Sequence, residues 1–168
     1  MSLYAGEGRR GTAPLSGGTI DHSDRSAPKE IRSTELRSVE TTFCCECEER
    51  EPYGRFLSFR LKKEESGAWT LEETLGYRIS AETDERLVNE VQRVIRECDL
   101  VRDNGTNRHT AGLPWEFQPC SFRAEYASGE VLYFSYNNDP AAEWSNRLCR
   151  LFCGTFRNQG VADPAIDP

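Results

Sequence analysis

The sequence predicts an α+β fold: a two-layer sandwich in which a mostly antiparallel sheet of about five strands carries two helices on one face. Three observations predict it. Several short segments alternate between apolar and polar residues, as half-buried strands do. Two longer segments repeat apolar residues at helical spacing. The elements come in the order strand, strand, strand, helix, long loop, strand, strand, helix, and such segregated hairpins and helices are typical of this architecture.

Three strands are predicted before the first helix. Residues 38–47 alternate, with Phe43 among the residues that face the core. Residues 55–61 and residues 69–75 repeat the pattern, and a charged or glycine-containing turn precedes each. A bulge would let residues 76–79 continue the third strand.

A continuous apolar stripe with charged residues outside it predicts the first helix. We expect Ser80 or Thr83 to cap its start, because a hydroxyl side chain can accept a hydrogen bond from the first turn. The stripe consists of Leu87, Val88, Val91, Val94, Ile95 and Cys98.

The last strands and the second helix are the most legible part of the chain. Residues 121–126 and 131–136 alternate on either side of a short polar break, which predicts a hairpin. Asp139 is the predicted N-cap of the helix, Pro140 its first residue and Gly154 its C-terminal stop. The helix would pack on the sheet through Trp144, Leu148, Leu151 and Phe152.

The ends of the chain differ from its middle in composition. Residues 1–33 are rich in Gly, Ser, Thr, Asp and Pro with no apolar period, which predicts a disordered N-terminal tail. We therefore expect a single α+β domain over residues 34–154 and a second tail over residues 155–168. Such tails also explain the polar mean hydropathy of −0.68.

Charge and hydropathy exclude several classes of partner. The formal net charge of −7 disfavours nucleic acid and anionic membranes, which need a basic footprint, and it would suit a cationic partner. No apolar run approaches the roughly 20 residues of a transmembrane helix, and the N-terminus lacks the apolar segment of a signal peptide. We expect a soluble, cytoplasmic protein, although a removed signal would escape notice.

The hairpin tip reads Tyr126-Ala127-Ser128-Gly129-Glu130 and is followed by a capped helix ending LCRLF. In this layout, residues 35–153 resemble small uncharacterised bacterial α+β domains in which a Y-x-S-G-E hairpin precedes a short terminal helix. The resemblance implies this fold. It implies no activity, so no functional residue follows from it.

Seven cysteines raise the question of a thiol or metal site. Cys44, Cys45 and Cys47 cluster, and His109 is the histidine outside the predicted tail. On a strand Cys45 and Cys47 share a face, but the Cys-x-x-Cys turn of zinc sites is absent. The pattern therefore favours buried free thiols. The alternatives are a disulfide and a metal site, for which Cys45, Cys47 and His109 are the candidate ligands.

Residues 99–119 form the longest predicted gap between regular elements, and long loops in compact domains often carry function. Leu113, Trp115 and Phe117 are expected to anchor its second half to the core. The candidate binding-surface residues are Asp103, Asn104, Asn107, Arg108, His109 and Trp115.

The sequence favours a non-enzymatic protein-binding module that uses this loop or an exposed sheet face, with no cofactor. It contains no nucleophile elbow and no phosphate-binding loop after a strand. The alternatives are a small enzyme or metal site built from the Cys44 cluster and His109, and a self-associating structural domain.

Overall fold

Strands β1 to β8 form one sheet in the part of the chain that the structure describes. The computed structural model describes residues 18–46, 56–75 and 78–160. The strands are β1 (Thr19–Asp21), β2 (Leu36–Phe43), β3 (Leu57–Lys63), β4 (Trp69–Glu73), β5 (Ile79–Thr83), β6 (Asn107–Thr110), β7 (Pro119–Tyr126) and β8 (Val131–Asn137). The helices are α1 (Glu85–Glu97) and α2 (Glu143–Asn158).

Across the sheet the strands lie in the order β1-β6-β8-β7-β2-β3-β4-β5. Every neighbouring pair is antiparallel except β6 and β8, which are parallel. The predicted hairpin is confirmed as β7 and β8, with Ala124 opposite Leu132. The sheet centre joins distant parts of the chain, because β2 pairs with β7.

Both helices contribute to one apolar cluster with alternate residues of the strands. The predicted stripe of α1 is buried from Leu87 to Ile95. In α2 the Trp144 ring makes edge contacts with the rings of Phe43, Phe122 and Phe134, at centroid distances of 5.7, 5.9 and 5.5 Å. One face of the sheet is thus covered, and the other bears charged and hydroxyl side chains.

The predicted five-stranded, mostly antiparallel sandwich is wrong, because the structure has an eight-stranded mixed sheet with a different order of elements. Strand β6 lies in the predicted loop, and β5 pairs with β4 instead of continuing it. Strand β1 lies in the predicted tail. Strands β1 and β6 read TID and NRHT, so neither has apolar alternation, and main-chain pairing at the sheet edge forms them.

The helix ends also differ from their predictions. Asp84 caps α1 by accepting a 3.0 Å hydrogen bond from the Arg86 backbone N–H, because Ser80 and Thr83 lie in β5. Asp139 accepts from the N–H of Ala141 in a turn before α2, which begins only at Glu143. Helix α2 continues past Gly154 because Phe156, one turn after Phe152, is fully buried.

Part of the predicted N-terminal tail is bonded to the domain. The Asp24 N–H donates to the Gly105 carbonyl, and the N–H groups of Arg32 and Ser33 donate to the Glu130 carboxylate. Gly105 has a φ of +88°, and a Cβ there would lie 2.3 Å from the Asp24 carbonyl oxygen. The segment therefore packs against the sheet only because residue 105 is glycine. Residues 1–17 lie outside the described residues.

Candidate functional site

The second half of the predicted loop carries three exposed apolar side chains. Leu113, Trp115 and Phe117 are 38, 43 and 37% exposed, and we call them the apolar ridge. Residues Trp115–Phe117 form a short 3₁₀ helix. The expectation that these side chains anchor the loop in the core is wrong, since each keeps more than a third of its surface in water. Because contiguous exposed apolar patches can mark interaction surfaces, this segment is a candidate site.

Trp115 is supported from one side. Its ring lies 6.4 Å from the ring of Phe56, centroid to centroid, in an edge arrangement at 64°. Phe56 directly precedes β3 and is half-buried. The contact orients the indole while leaving much of it exposed to solvent.

Asn138 fixes the ridge to the end of the sheet. Its side chain is 98% buried and makes three hydrogen bonds to backbone atoms. The amide nitrogen donates to the carbonyls of Cys44 and Glu116, both at 2.8 Å, and the amide oxygen accepts from the Cys44 N–H at 3.2 Å. One side chain thereby joins the end of β2 to the 3₁₀ helix of the ridge.

Asn137 adds a second tie. Its amide donates to the carbonyls of Phe117 at 2.8 Å and Thr110 at 3.2 Å, and its oxygen accepts from the Thr110 N–H at 2.7 Å. The two asparagines hold residues 110–117 at several backbone points. No role for either asparagine was predicted from the sequence. Two consecutive asparagines were the one available sign, since asparagine bonds readily to backbone groups.

Three carboxylates border the ridge. Glu116 lies within it, between Trp115 and Phe117. Asp139 directly follows Asn138, and Glu46 comes two residues after Cys44. The Glu46 N–H donates to the Pro140 carbonyl at 2.9 Å. Among the described residues, none of the three takes part in an ion pair.

Asp103 and Asn104, two of the predicted binding-surface residues, lie in the first half of the predicted loop and pack against β8. Asn104 is buried, accepts from the Tyr133 N–H at 2.8 Å and donates to the Pro28 carbonyl at 2.8 Å. Asp103 is half-buried beside the Tyr136 hydroxyl, at 3.5 Å. Both side chains serve the packing of the loop against β8 rather than an exposed surface.

Asn107 and Arg108 lie on β6. Arg108 lines an open polar cleft of about 550 Å³, together with Asp21, Arg25 and Lys29. Arg25 and Asp21 form an ion pair at 3.3 Å, and Lys29 donates to the Asn104 carbonyl.

His109 contacts Ser135, with 2.9 Å between Nε2 and the hydroxyl oxygen. The Ser135 hydroxyl donates its one proton to the Cys120 carbonyl at 2.9 Å, so Nε2 of His109 must be the donor in the first bond. A histidine that donates to a serine is not the base that activates it. Burial and then the charge of His22 lower the pKa of His109.

Among the described residues, Cys44 and Cys45 form no metal site with His109. Cys44 and Cys45 are both buried after the end of β2, and Cys47 lies outside the described residues. Within the described ranges, no group of three or more His, Cys, Asp or Glu side chains could hold a metal ion. Burial raises the pKa of the Cys120 thiol to about 12, so this thiol is not a reactive nucleophile.

The uncovered sheet face is the other surface that the sequence favoured. Glu72, Arg60, Glu40 and Arg123 lie side by side across four strands. Arg60 bonds both neighbouring glutamates, at 3.2 and 3.3 Å, and Arg123 pairs with Glu125 at 2.9 Å. These charges satisfy one another, so this face offers less to a partner than the ridge does.

No protein-family model matches the chain, and no curated protein matches it. Neither α1 nor α2 has the length and apolar composition that crossing a bilayer requires. The resemblance to small bacterial α+β domains stays a prediction. The candidate site consequently rests on geometry: an exposed apolar ridge, held by two asparagines and bordered by carboxylates that form no ion pair with another described residue.

Proposed function

We propose that the protein is a non-enzymatic binding module whose apolar ridge docks another protein. The observation that carries this proposal is the exposure of three large apolar side chains on residues 113–117, a segment that is nevertheless tied firmly to the sheet. Exposed tryptophan and phenylalanine are enriched among the residues that dominate protein interfaces.

The hydrogen bonds of Asn137 and Asn138 bear directly on affinity. A loop that orders only on binding loses conformational entropy at that moment, which weakens the complex. The ridge backbone is already held at Thr110, Glu116 and Phe117. A partner would therefore meet a preorganised surface, as an interaction module needs.

The chemistry around His109 supports the same proposal. His109 and Ser135 are engaged in a chain of hydrogen bonds that ends at a backbone carbonyl, with Nε2 as donor. This arrangement stabilises the junction of β6 and β8 and leaves no activated nucleophile there.

Site-specific photocrosslinking in the native host tests the proposal. Trp115→p-benzoylphenylalanine places the crosslinker on the ridge. Asn89→p-benzoylphenylalanine is the control, because Asn89 is exposed on α1, outside the ridge and its rim. Leu75 would be unsuitable, since it follows β4 at the sheet end where Phe56 supports Trp115. We expect one discrete crosslinked protein from position 115 that is absent from position 89.

The same crosslinks from both positions, or none from position 115, would contradict a docking role for the ridge. A crosslinked species with twice the mass of the chain would instead indicate self-association. Adding Leu113→Ser and Phe117→Ser to the position-115 variant should abolish a specific crosslink, since both changes affect exposed side chains and leave the Asn138 bonds in place.

A further inference from the structure

We infer that the ridge binds a cationic partner segment, one that presents aliphatic or aromatic anchors flanked by Lys or Arg. This inference rests on the proposed function and specifies its partner. The anchors follow from the apolar ridge. The flanking charge follows from Glu46, Glu116 and Asp139, which border it.

None of the three carboxylates forms an ion pair with another residue that the structure describes. On the uncovered sheet face, Glu40 and Glu72 both pair with Arg60. On the helices, Arg147 pairs with Glu97 at 2.8 Å and with Glu143 at 3.4 Å. The charge of the uncovered sheet face is thus largely matched by described residues, whereas that of the three carboxylates beside the ridge is not.

Carboxylates at the rim of an apolar patch select partners by the sign of the partner's charge. Opposite charge speeds association, and like charge beside the rim weakens binding. Asn138 sets this arrangement, because it bonds the Glu116 carbonyl and the Cys44 backbone and itself precedes Asp139. The formal net charge of −7 adds long-range attraction for the same class of partner.

Selection from a library of random 16-residue displayed peptides tests the inference without a known partner. The full chain is the bait, and three variants are compared. The ridge variant carries Leu113→Ser, Trp115→Ser and Phe117→Ser. The rim variant carries Glu46→Gln, Glu116→Gln and Asp139→Asn, in which asparagine keeps the oxygen that accepts from the Ala141 N–H.

A charge-matched control separates local from global electrostatics. It carries Glu30→Gln, Glu65→Gln and Asp99→Asn, three exposed positions outside the ridge and its rim. Rim and control variants have the same net charge, so only position distinguishes them. Circular dichroism of each variant confirms the fold before selection.

We expect the enriched peptides to carry net positive charge and at least one large apolar residue. Synthetic copies should bind the ridge variant about 30-fold or more weakly, as for interface hot spots. They should bind the rim variant about tenfold more weakly and the control variant nearly as the parent does, and added salt should weaken binding.

The outcomes that contradict the inference are distinct. Enriched peptides that need the ridge but are neutral or acidic would overturn the cationic partner while leaving the proposed function intact. Peptides that bind the ridge variant undiminished, or no enrichment at all, would overturn both. A dimer by light scattering that the ridge variant converts to a monomer would assign the ridge to a second copy of the chain and overturn the inference.

Discussion

Replacing Asn138 should destabilise the protein more than any other single polar substitution at the sheet end. Asn138→Ala removes three hydrogen bonds from a side chain that is only 2% exposed. At about 1 kcal/mol of net stability each, their loss costs about 3 kcal/mol. For a chain of 168 residues this corresponds to a fall in Tm of roughly 6–12 °C.

Urea unfolding followed by tryptophan fluorescence measures the effect, as a lower midpoint at constant slope. Asn89→Ala is the matched control. Asn89 is exposed on α1, where alanine is the better helix former, so its stability should be unchanged or slightly higher.

Asn138→Asp sharpens the test because it preserves shape. The carboxylate cannot donate, and it would face the carbonyl oxygens of Cys44 and Glu116. We expect a loss at least as large as for alanine, together with faster hydrogen exchange of the Cys44 N–H. A loss below about 0.5 kcal/mol in both variants, the scale of ordinary surface changes, would refute the account of how the ridge is held.

Three further predictions concern the core, the histidines and the thiols. Trp144→Ala should cost about 4 kcal/mol in urea unfolding, because the ring is buried against three phenylalanines; a cost under about 1 kcal/mol would contradict that packing. Because the pKa of His109 is lowered in the folded protein, its contribution to the free energy of unfolding should be complete above pH 6.5 and be lost as the pH drops below that value. If His109→Gln leaves the pH dependence of stability unchanged, the loss belongs to other groups. Burial raises the pKa of the Cys98 and Cys120 thiols, but Cys98 is half-buried and Cys120 is buried. A thiol reagent should therefore modify Cys98 before Cys120, and Cys120 only after unfolding, which peptide mapping would show.

The sequence predicted elements that have dense apolar patterns. The hairpin of β7 and β8 and the stripe of α1 follow directly from the spacing of residues such as Phe122, Leu132 and Val91. The burial of each such residue can be inferred from the local spacing of apolar residues, so no knowledge of distant partners is needed.

What the sequence did not predict depends on distant pairing. Strands β1 and β6 have polar sequences and exist because each has a neighbour to pair with. Asn138 bonds to Cys44, which is 94 positions away, and no local pattern encodes that contact. Trp115 was predicted both as a core anchor and as a binding-surface residue, and local pattern could not decide between the two because its contact with Phe56 depends on the fold.

The central pairing of β2 with β7 also bears on how the chain folds during synthesis. Thr41 in β2 bonds to the Ser121 carbonyl, 80 positions later, and Phe59 packs on Phe152 of α2 with ring centroids 4.9 Å apart. On the ribosome, the apolar face of β2 to β5 is therefore made well before the elements that complete and cover it. Such non-local topology slows folding, and until α2 docks the nascent chain exposes surface that chaperones bind and that favours aggregation.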